Sequence, residues 1–354
     1  MRPPPRWLRR LLLQPLFIVL TLVLSVVSPV LFLGAALASP FTGGHWRPLR
    51  VAVYTVVWTQ REVAVIIACA ALWAIGMGRM DTPAMQHRHY GVMRWFFRGA
   101  RIWGQRILAV TVHIDDDGLA DQMLAANDRP LLVFSRHSGP GDTFYLVDML
   151  LDRYGREPRI VMKEMLKLDP CIDVVGSRVH SYFLPPPARR RAGSWETRIS
   201  ELSRGLDARG ALLLFPEGGN FSEERRRRRL RQLLRRGRRR DAERAVRMHH
   251  VIAPEPGGAL TALAAAPAAS VILVAHGGLS GYGHRGLLSR SPMDQSFRVH
   301  LWYVDASEIP NADESRRQWL LDCWQRIDQW VAADAGDVAD GELRNGAAKP
   351  SPNG

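Results

Sequence analysis

Leu131–Leu146 reads LLVFSRHSGPGDTFYL. The first five residues, four of them apolar, have the length and continuity of a strand buried on both faces, as in a parallel sheet. Ser138-Gly139-Pro140-Gly141 is a turn composition. From Thr143 to Leu151 the apolar positions return at helical spacing. An ionisable pair, His137 and Asp142, thus sits in a loop between a buried strand and a helix. In open α/β sheets the loops at the carboxyl ends of strands carry ligands.

The same texture recurs outward from this stretch. Strands are predicted at Ile107–Ile114, Pro130–Ser135, Arg159–Met162, Ala211–Phe215, Ser270–His276 and Val299–Val304. Helices are predicted at Gly118–Ala126, Thr143–Leu151, Glu196–Arg209, Ser222–Arg239 and Ser315–Ala333. Alternation of this kind predicts an α/β fold with a mostly parallel central sheet flanked by helices. Trp319, Trp324 and Trp330 fall on the apolar stripe of the last helix and read as core.

Towards the N-terminus, Leu11–Phe41 contains no charged residue. It is long enough to cross a hydrocarbon core as a helix, and too long for the usual core of a signal peptide despite Ala36-Leu37-Ala38. Val51–Gly76 is a second apolar stretch, interrupted by Gln60-Arg61-Glu62. Together they predict a two-helix membrane-anchoring segment, either spanning or entering one leaflet. Basic residues are richer before the first stretch and after the second than between them, which places both ends, and with them the α/β domain, on the cytoplasmic side. The predicted organisation is a membrane hairpin over residues 1–78, an amphipathic connector and domain start over 79–129, an α/β domain over 130–333 and a disordered, polar tail over 334–354.

The chain has 354 residues and a formal net charge of +14, which favours an anionic partner. Its 3 cysteines are scattered without a CxxC, so neither a disulfide framework nor a zinc site is indicated, and buried thiols are expected. The run ERRRRRLRQLLRRGRRR (Glu224–Arg240) has no interleaved aromatics for stacking on bases. With Leu230, Leu233 and Leu234 forming an apolar stripe, it fits a helix drawn to anionic headgroups better than a nucleic-acid site.

Chemically, a neutral histidine can take a proton from an alcohol near pH 7, provided a partner fixes its tautomer and steadies the imidazolium. His137 and Asp142 are cast in those roles. A second strand-to-helix loop, ALLLFPEGGNFSEE (Ala211–Glu224), places Pro216, Glu217, Gly218 and Gly219 before a helix that Ser222 is positioned to cap. Glycines there allow backbone N–H groups to approach an anion.

The two loops together, His-x4-Asp and then Phe-Pro-Glu-Gly, resemble the glycerophospholipid (lysophosphatidic acid) acyltransferases. HVIAPEPGG (His250–Gly258) and SVILVAH (Ser270–His276) are similar to stretches of the lysocardiolipin and 1-acylglycerol-phosphate acyltransferase branch. SEIP (Ser307–Pro310) and WLLDCWQRID (Trp319–Asp328) fit its C-terminal part. Within KEMLKLDPCIDVVGSRVHSYFLPPP, Lys163, Leu166, Pro170 and Phe183-Leu184 are kept. The chain departs from the pattern at Arg136 and Ser138 beside the histidine, at Gly219 in place of threonine, at Pro186 in place of a closing arginine and at Glu255. Arg189, Arg190 and Arg191 are candidates to replace that arginine.

The resemblance implies a membrane-bound O-acyltransferase that moves a fatty acyl group from a thioester, acyl-CoA or acyl carrier protein, to a hydroxyl of a lysophospholipid. His137 would be the general base and Asp142 its orienting acid. The acceptor phosphate would sit near Pro216, Gly218 and Gly219, helped by Lys163, and Glu217 would hold a basic residue or accept from a glycerol hydroxyl. No metal, cofactor or covalent enzyme intermediate is called for, and no nucleic-acid partner is expected. The competing expectation is a non-catalytic membrane-surface protein that binds anionic lipid or nucleic acid through its basic face. A serine hydrolase ranks below both, because there is no Gly-x-Ser-x-Gly elbow.

Overall fold

The computed structural model describes residues 3–42, 45–191, 193–277 and 296–347. A helical turn α1 (Arg6–Leu8) leads through a π-turn (Arg9–Leu13) into α2 (Gln14–Ala38), and α3 (Arg47–Ile75) packs beside it. Both helices are long and apolar enough to cross a membrane. Pro29 inside α2 has no N–H for the carbonyl of Ser25, and the Ser28 hydroxyl donates to that carbonyl instead, at 2.8 Å. The polar triplet of α3 is also absorbed. Gln60 donates to Ser25 Oγ at 3.0 Å, Arg61 lies 3.9 Å over the Trp95 ring, and Glu62 is buried.

Helix α4 (Pro83–Leu108) starts at Thr82, whose hydroxyl accepts from Met85 N–H. It buries Met85, His89, Met93, Phe96, Ala100, Gly104 and Leu108 at spacings of three and four, and leaves Trp95 and Trp103 exposed. This corrects the predicted strand start: Ile107 and Leu108 end the helix, Ala109 breaks it at φ +53°, and β1 spans Thr111–Asp116. The apolar pair completed a helical stripe rather than opening a strand.

The remaining elements are α5 (Ala120–Ala126), β2 (Leu131–Ser135), α6 (Pro140–Asp148), β3 (Glu157–Lys163), α7 (Pro170–Gly176), β4 (Tyr182–Leu184), α8 (Ser194–Arg204), β5 (Gly210–Leu214), α9 (Glu223–Arg235), α10 (Arg239–Val246), α11 (Pro256–Ala265), β6 (Ser270–Gly277), β7 (Ser296–Val304) and α12 (Asp313–Ala347). The strands form one sheet in the order β1-β7-β6-β2-β5-β3-β4. Every pairing is parallel except β6 with β7. The mostly parallel α/β sheet read from the sequence is therefore present.

Strands β2 and β5 are buried along their whole length, and alternate residues feed opposite cores. Leu132, Phe134, Leu212 and Leu214 pack with α8, α9, α11 and α12. Leu131, Val133, Ala211 and Leu213 pack with α4 and α6. Trp324 is fully buried in the first core, and Cys69, Cys171 and Cys323 are buried free thiols.

Two further expectations change. Ser222–Arg239 is two helices, because Gly237 at φ +71° ends α9 and lets α10 turn away. The last helix runs on to Ala347 instead of giving way to a disordered tail at residue 334; residues 348–354 lie outside the described residues.

A buried ion pair joins the N-terminal segment to the α/β domain. Arg9 contacts Asp173 of α7 at 2.8 Å, and Arg10 approaches the same carboxylate at 3.3 Å. Asp173→Ala strands the buried Arg9 guanidinium and removes a partner of the partly exposed Arg10, and is expected to destabilise the protein by about 3 kcal/mol. The measurement is thermal unfolding in detergent.

Candidate active site

The spacing of His137 and Asp142 follows from helix capping. Helix α6 begins at Pro140, with Gly139 as N-cap and Asp142 at the third helical position. An acidic side chain there reaches back to the free N–H groups of the turn. Asp142 Oδ2 accepts from Ser138 N–H at 2.7 Å and from Gly139 N–H at 2.9 Å. The same oxygen lies 3.1 Å from His137 Nδ1. The carboxylate accepts only, so Nδ1 carries the hydrogen and Nε2 is left as the basic nitrogen.

Asp142 is completely buried. Burial pushes its pKa up, but the hydrogen bond to His137 and the nearby His276, together with the backbone donors, hold it well below the usual carboxylate range. The His137 ring lies against Phe215, with centroids 4.6 Å apart.

The second loop leaves β5 at Phe215. Gly218 turns back to Phe215 O at 3.0 Å with φ +71°, a conformation that favours glycine. Phe221 N–H donates to His137 O at 2.6 Å and fastens the two loops together. Ser222 caps α9 as read from the sequence, its hydroxyl accepting from Arg225 N–H at 3.3 Å.

The seven residues singled out from the sequence converge, with different duties. His137, Pro216, Gly218, Gly219 and Lys163 line one cavity of about 1490 Å³. Asp142 stands behind His137. Glu217 is buried and absent from that lining; of its two expected duties, it lies beside a basic residue, Arg136. It accepts from His137 N–H at 3.3 Å and Ile252 N–H at 3.2 Å, beside the Arg136 guanidinium. Burial pushes it up to about 8 against the pull of Arg136 and those amides. Glu217 is thus a brace for the His137 loop.

The structure adds residues that sequence reading passed over. A Cβ at Gly219 would collide with the Arg225 guanidinium and lie 3.5 Å from Lys163 Nζ. The missing side chain lets two cations converge on the turn. Lys163 is accordingly held below its ordinary pKa, first by burial and then by Arg225. Arg136, also buried, donates to the carbonyls of His276 and His250. His276 is fully buried; its Nε2 donates to Arg136 O at 3.1 Å, and burial pushes it down to about 4, which keeps it neutral. Of the three arginines considered for the missing one, Arg189 pairs with Glu164, while Arg190 lines the cavity.

The arginine run is only partly free for a partner. Arg226 and Arg227 pair with Glu223, Arg228 pairs with Glu224, and buried Arg229 donates to Ala253 and Pro254 carbonyls.

Residues 113–254, which include both loops, match the family model described as Acyltransferase. Over those residues the chain resembles an acyltransferase domain. The crystal structure of the 1-acyl-sn-glycerophosphate acyltransferase PlsC from Thermotoga maritima has a similar fold, with a TM-score of 0.53 at 15% identity. The similarity covers 86% of this chain and 99% of that one. No curated protein matches the chain. Within the matched region, the His-x4-Asp loop and the Phe-Pro-Glu-Gly loop stand at adjacent strand ends, β2 and β5, over a single cavity.

Proposed function

We propose that the protein is a membrane-bound acyltransferase that moves a fatty acyl group from an acyl thioester to a hydroxyl of a lysophospholipid. The observation that carries this reading is the composition of the cavity. His137 shares its cavity with Tyr54 and Trp58 of α3, in the predicted membrane segment, and with Phe96 and Phe97 of the connector helix α4, so the base meets an apolar chamber that the membrane segment helps to build. A catalytic domain on the cytoplasmic side fits the basic flanks of the hairpin.

A thioester is already activated, so the reaction needs positioning and a base. His137 Nε2 removes the acceptor's hydroxyl proton as its oxygen attacks the thioester carbonyl. Asp142 keeps the proton on Nδ1 and steadies the imidazolium. The C–S bond then breaks and the proton passes to the departing thiolate. Lys163, Arg225 and the N–H groups of the Gly218-Gly219 turn hold the acceptor phosphate. Neither a metal ion nor a covalent enzyme intermediate is needed.

The test is a full-length preparation given a lysophospholipid panel and acyl thioesters, with products read by mass spectrometry. A diacyl product supports the reading. Salt-sensitive lipid binding without turnover would replace it with the binding protein. Free fatty acid as the sole product would make the protein a hydrolase.

The phosphate site gives its own prediction. Arg225 is exposed, so Arg225→Ala should fold normally. Its KM for a phosphate-bearing acceptor is expected to rise about tenfold. Its KM for a monoacylglycerol is expected to change little. Steady-state kinetics with the two acceptors checks the difference.

A further inference from the structure

The cavity reaches both faces of the sheet, because its lining comes from α3, α4 and α6 on one side and from α9, α11 and α12 on the other. At about 1490 Å³ it exceeds the roughly 300–1,000 Å³ that holds one drug-sized ligand, which leaves room for two substrates together. The two ends differ in chemistry. The first is the aromatic chamber. The second gathers around the start of α11: Arg190 lies over Trp195, which meets Gly257, and Arg236, Arg238 and Arg317 of the lining lie near Arg229, which donates to Pro254 O, or share Glu314, with Pro185–Pro187 also in the lining.

Acidic groups offset only part of that charge. Glu314 pairs with Arg238 at 3.1 Å and approaches Arg317 at 3.4 Å. Asp241 and Glu255 are also in the lining; Asp241 accepts from Gln318 at 3.1 Å, and Glu255 lies beside the Gly218 turn. Among the described residues, neither Arg190 nor Arg236 pairs with a carboxylate. Arg190 donates through Nε to Pro185 O at 2.9 Å and lies 5.7 Å over the Trp195 ring, so its two terminal nitrogens remain for a ligand. Arg225 lies in the first turn of α9 and Arg236 caps its far end, while Arg190 precedes α8, so these cations stand apart from the Lys163–Arg225 pair and form a second anion site.

We propose that this arginine-lined end receives the phosphorylated carrier of the acyl thioester. The phosphopantetheine arm runs along the proline strip, the thioester carbonyl stands at His137, and the fatty chain continues into the aromatic end. The proposal rests on the acyl-transfer reading above. It separates the two substrates by their phosphates: the acceptor's at Lys163 and Arg225, the donor's at Arg190 and Arg236.

The experiment uses the full chain and three palmitoyl donors: the CoA thioester, the acyl carrier protein thioester and the N-acetylcysteamine thioester, which has no phosphate. In the double variant Arg190→Ala, Arg236→Ala, the KM for a phosphate-bearing donor is expected to rise about tenfold or more. The KM for the acceptor and for the N-acetylcysteamine donor should move less than twofold. The double lysine variant, which keeps both charges, should restore most of the donor KM and controls for folding.

Loss with both natural donors assigns the phosphate they share, and loss with the CoA donor alone assigns its nucleotide phosphates; either supports the proposal. Loss with the carrier protein alone points to docking on an acidic protein surface and overturns it. So does an equal loss with the N-acetylcysteamine donor, a change confined to the acceptor KM, or no change. A wild-type protein that transfers from none of the three donors would instead sink the acyl-transfer reading itself.

Discussion

His137→Ala is expected to lower kcat by about 10²–10⁴-fold, the range that a positioned general base supplies. The ring lies at the cavity wall and, among the described residues, its side chain hydrogen-bonds with Asp142 alone, so the fold should survive its removal. Thermal unfolding and lipid binding should stay close to wild type while product formation collapses. Full turnover by purified His137→Ala protein would reject this histidine as the base.

Asp142→Asn extends the same prediction to its partner. Oδ2 accepts two backbone N–H bonds and faces Nδ1. An amide offers only one acceptor oxygen, so either the loop or the tautomer is lost, and the expected fall in kcat is of the same order. The sign of the pH effect on stability is also fixed. The folded-state pKa of Asp142 is depressed, so its stabilisation is fully present above the ordinary carboxylate pKa of 3.8 and fades as the pH falls towards the folded value. Asp142→Asn should therefore flatten the acid limb of a stability-against-pH curve. An unchanged acid limb would mean that the pair is not coupled in the folded protein.

The second large effect is expected at Glu217. Glu217→Ala leaves the N–H groups of His137 and Ile252 buried without acceptors, at about 1–3 kcal/mol each. It also removes an acidic neighbour of Arg136. The expected outcome is a lower melting temperature together with a large fall in kcat, because the loop that aims His137 loses its floor. A substrate-binding glutamate behaves otherwise: acceptor KM rises and stability stays the same. The two patterns separate cleanly in one set of kinetics and melts.

The pH behaviour of Glu217 has the opposite sense to that of Asp142. Its folded pKa, about 8, lies above the ordinary 4.5. Between those values the folded protein keeps a proton that the unfolded chain releases, so stability falls as the pH rises through that window. The effect should be absent from a Glu217→Ala series.

Much of this was legible in the sequence because short-range physics wrote it. The buried run Leu131–Phe134 makes a strand wherever it is placed in a parallel sheet. The five-residue spacing of His137 and Asp142 is the reach of a first-turn acid back to its own cap. Ser222 capped α9 for equally local reasons.

What was missed depends on contacts between distant segments. Ile107 and Leu108 suit a strand or a helix, and the stripe from Met85 onward decides. Glu217 in its glycine-rich loop was left between a basic residue and a glycerol hydroxyl; Arg136 and the Ile252 amide, both distant in sequence, take up its carboxyl. Arg225 is one arginine in a run of five, and nothing local marks it as the one that lies over Gly219. Residues 256–265, rich in alanine and glycine, gave no clear periodicity, so α11 went unpredicted although it lines the cavity.

Tyr54 and Trp58 belong to the hydrophobic hairpin, yet they also enclose the reaction space. A version of the chain trimmed to begin after Ile75, made to ease purification, would keep both motif loops and lack one side of its chamber. It would be expected to fold around an intact sheet and to handle long fatty chains poorly. Solubility and chain-length preference are thus tied to the same helix, and engineering one will disturb the other.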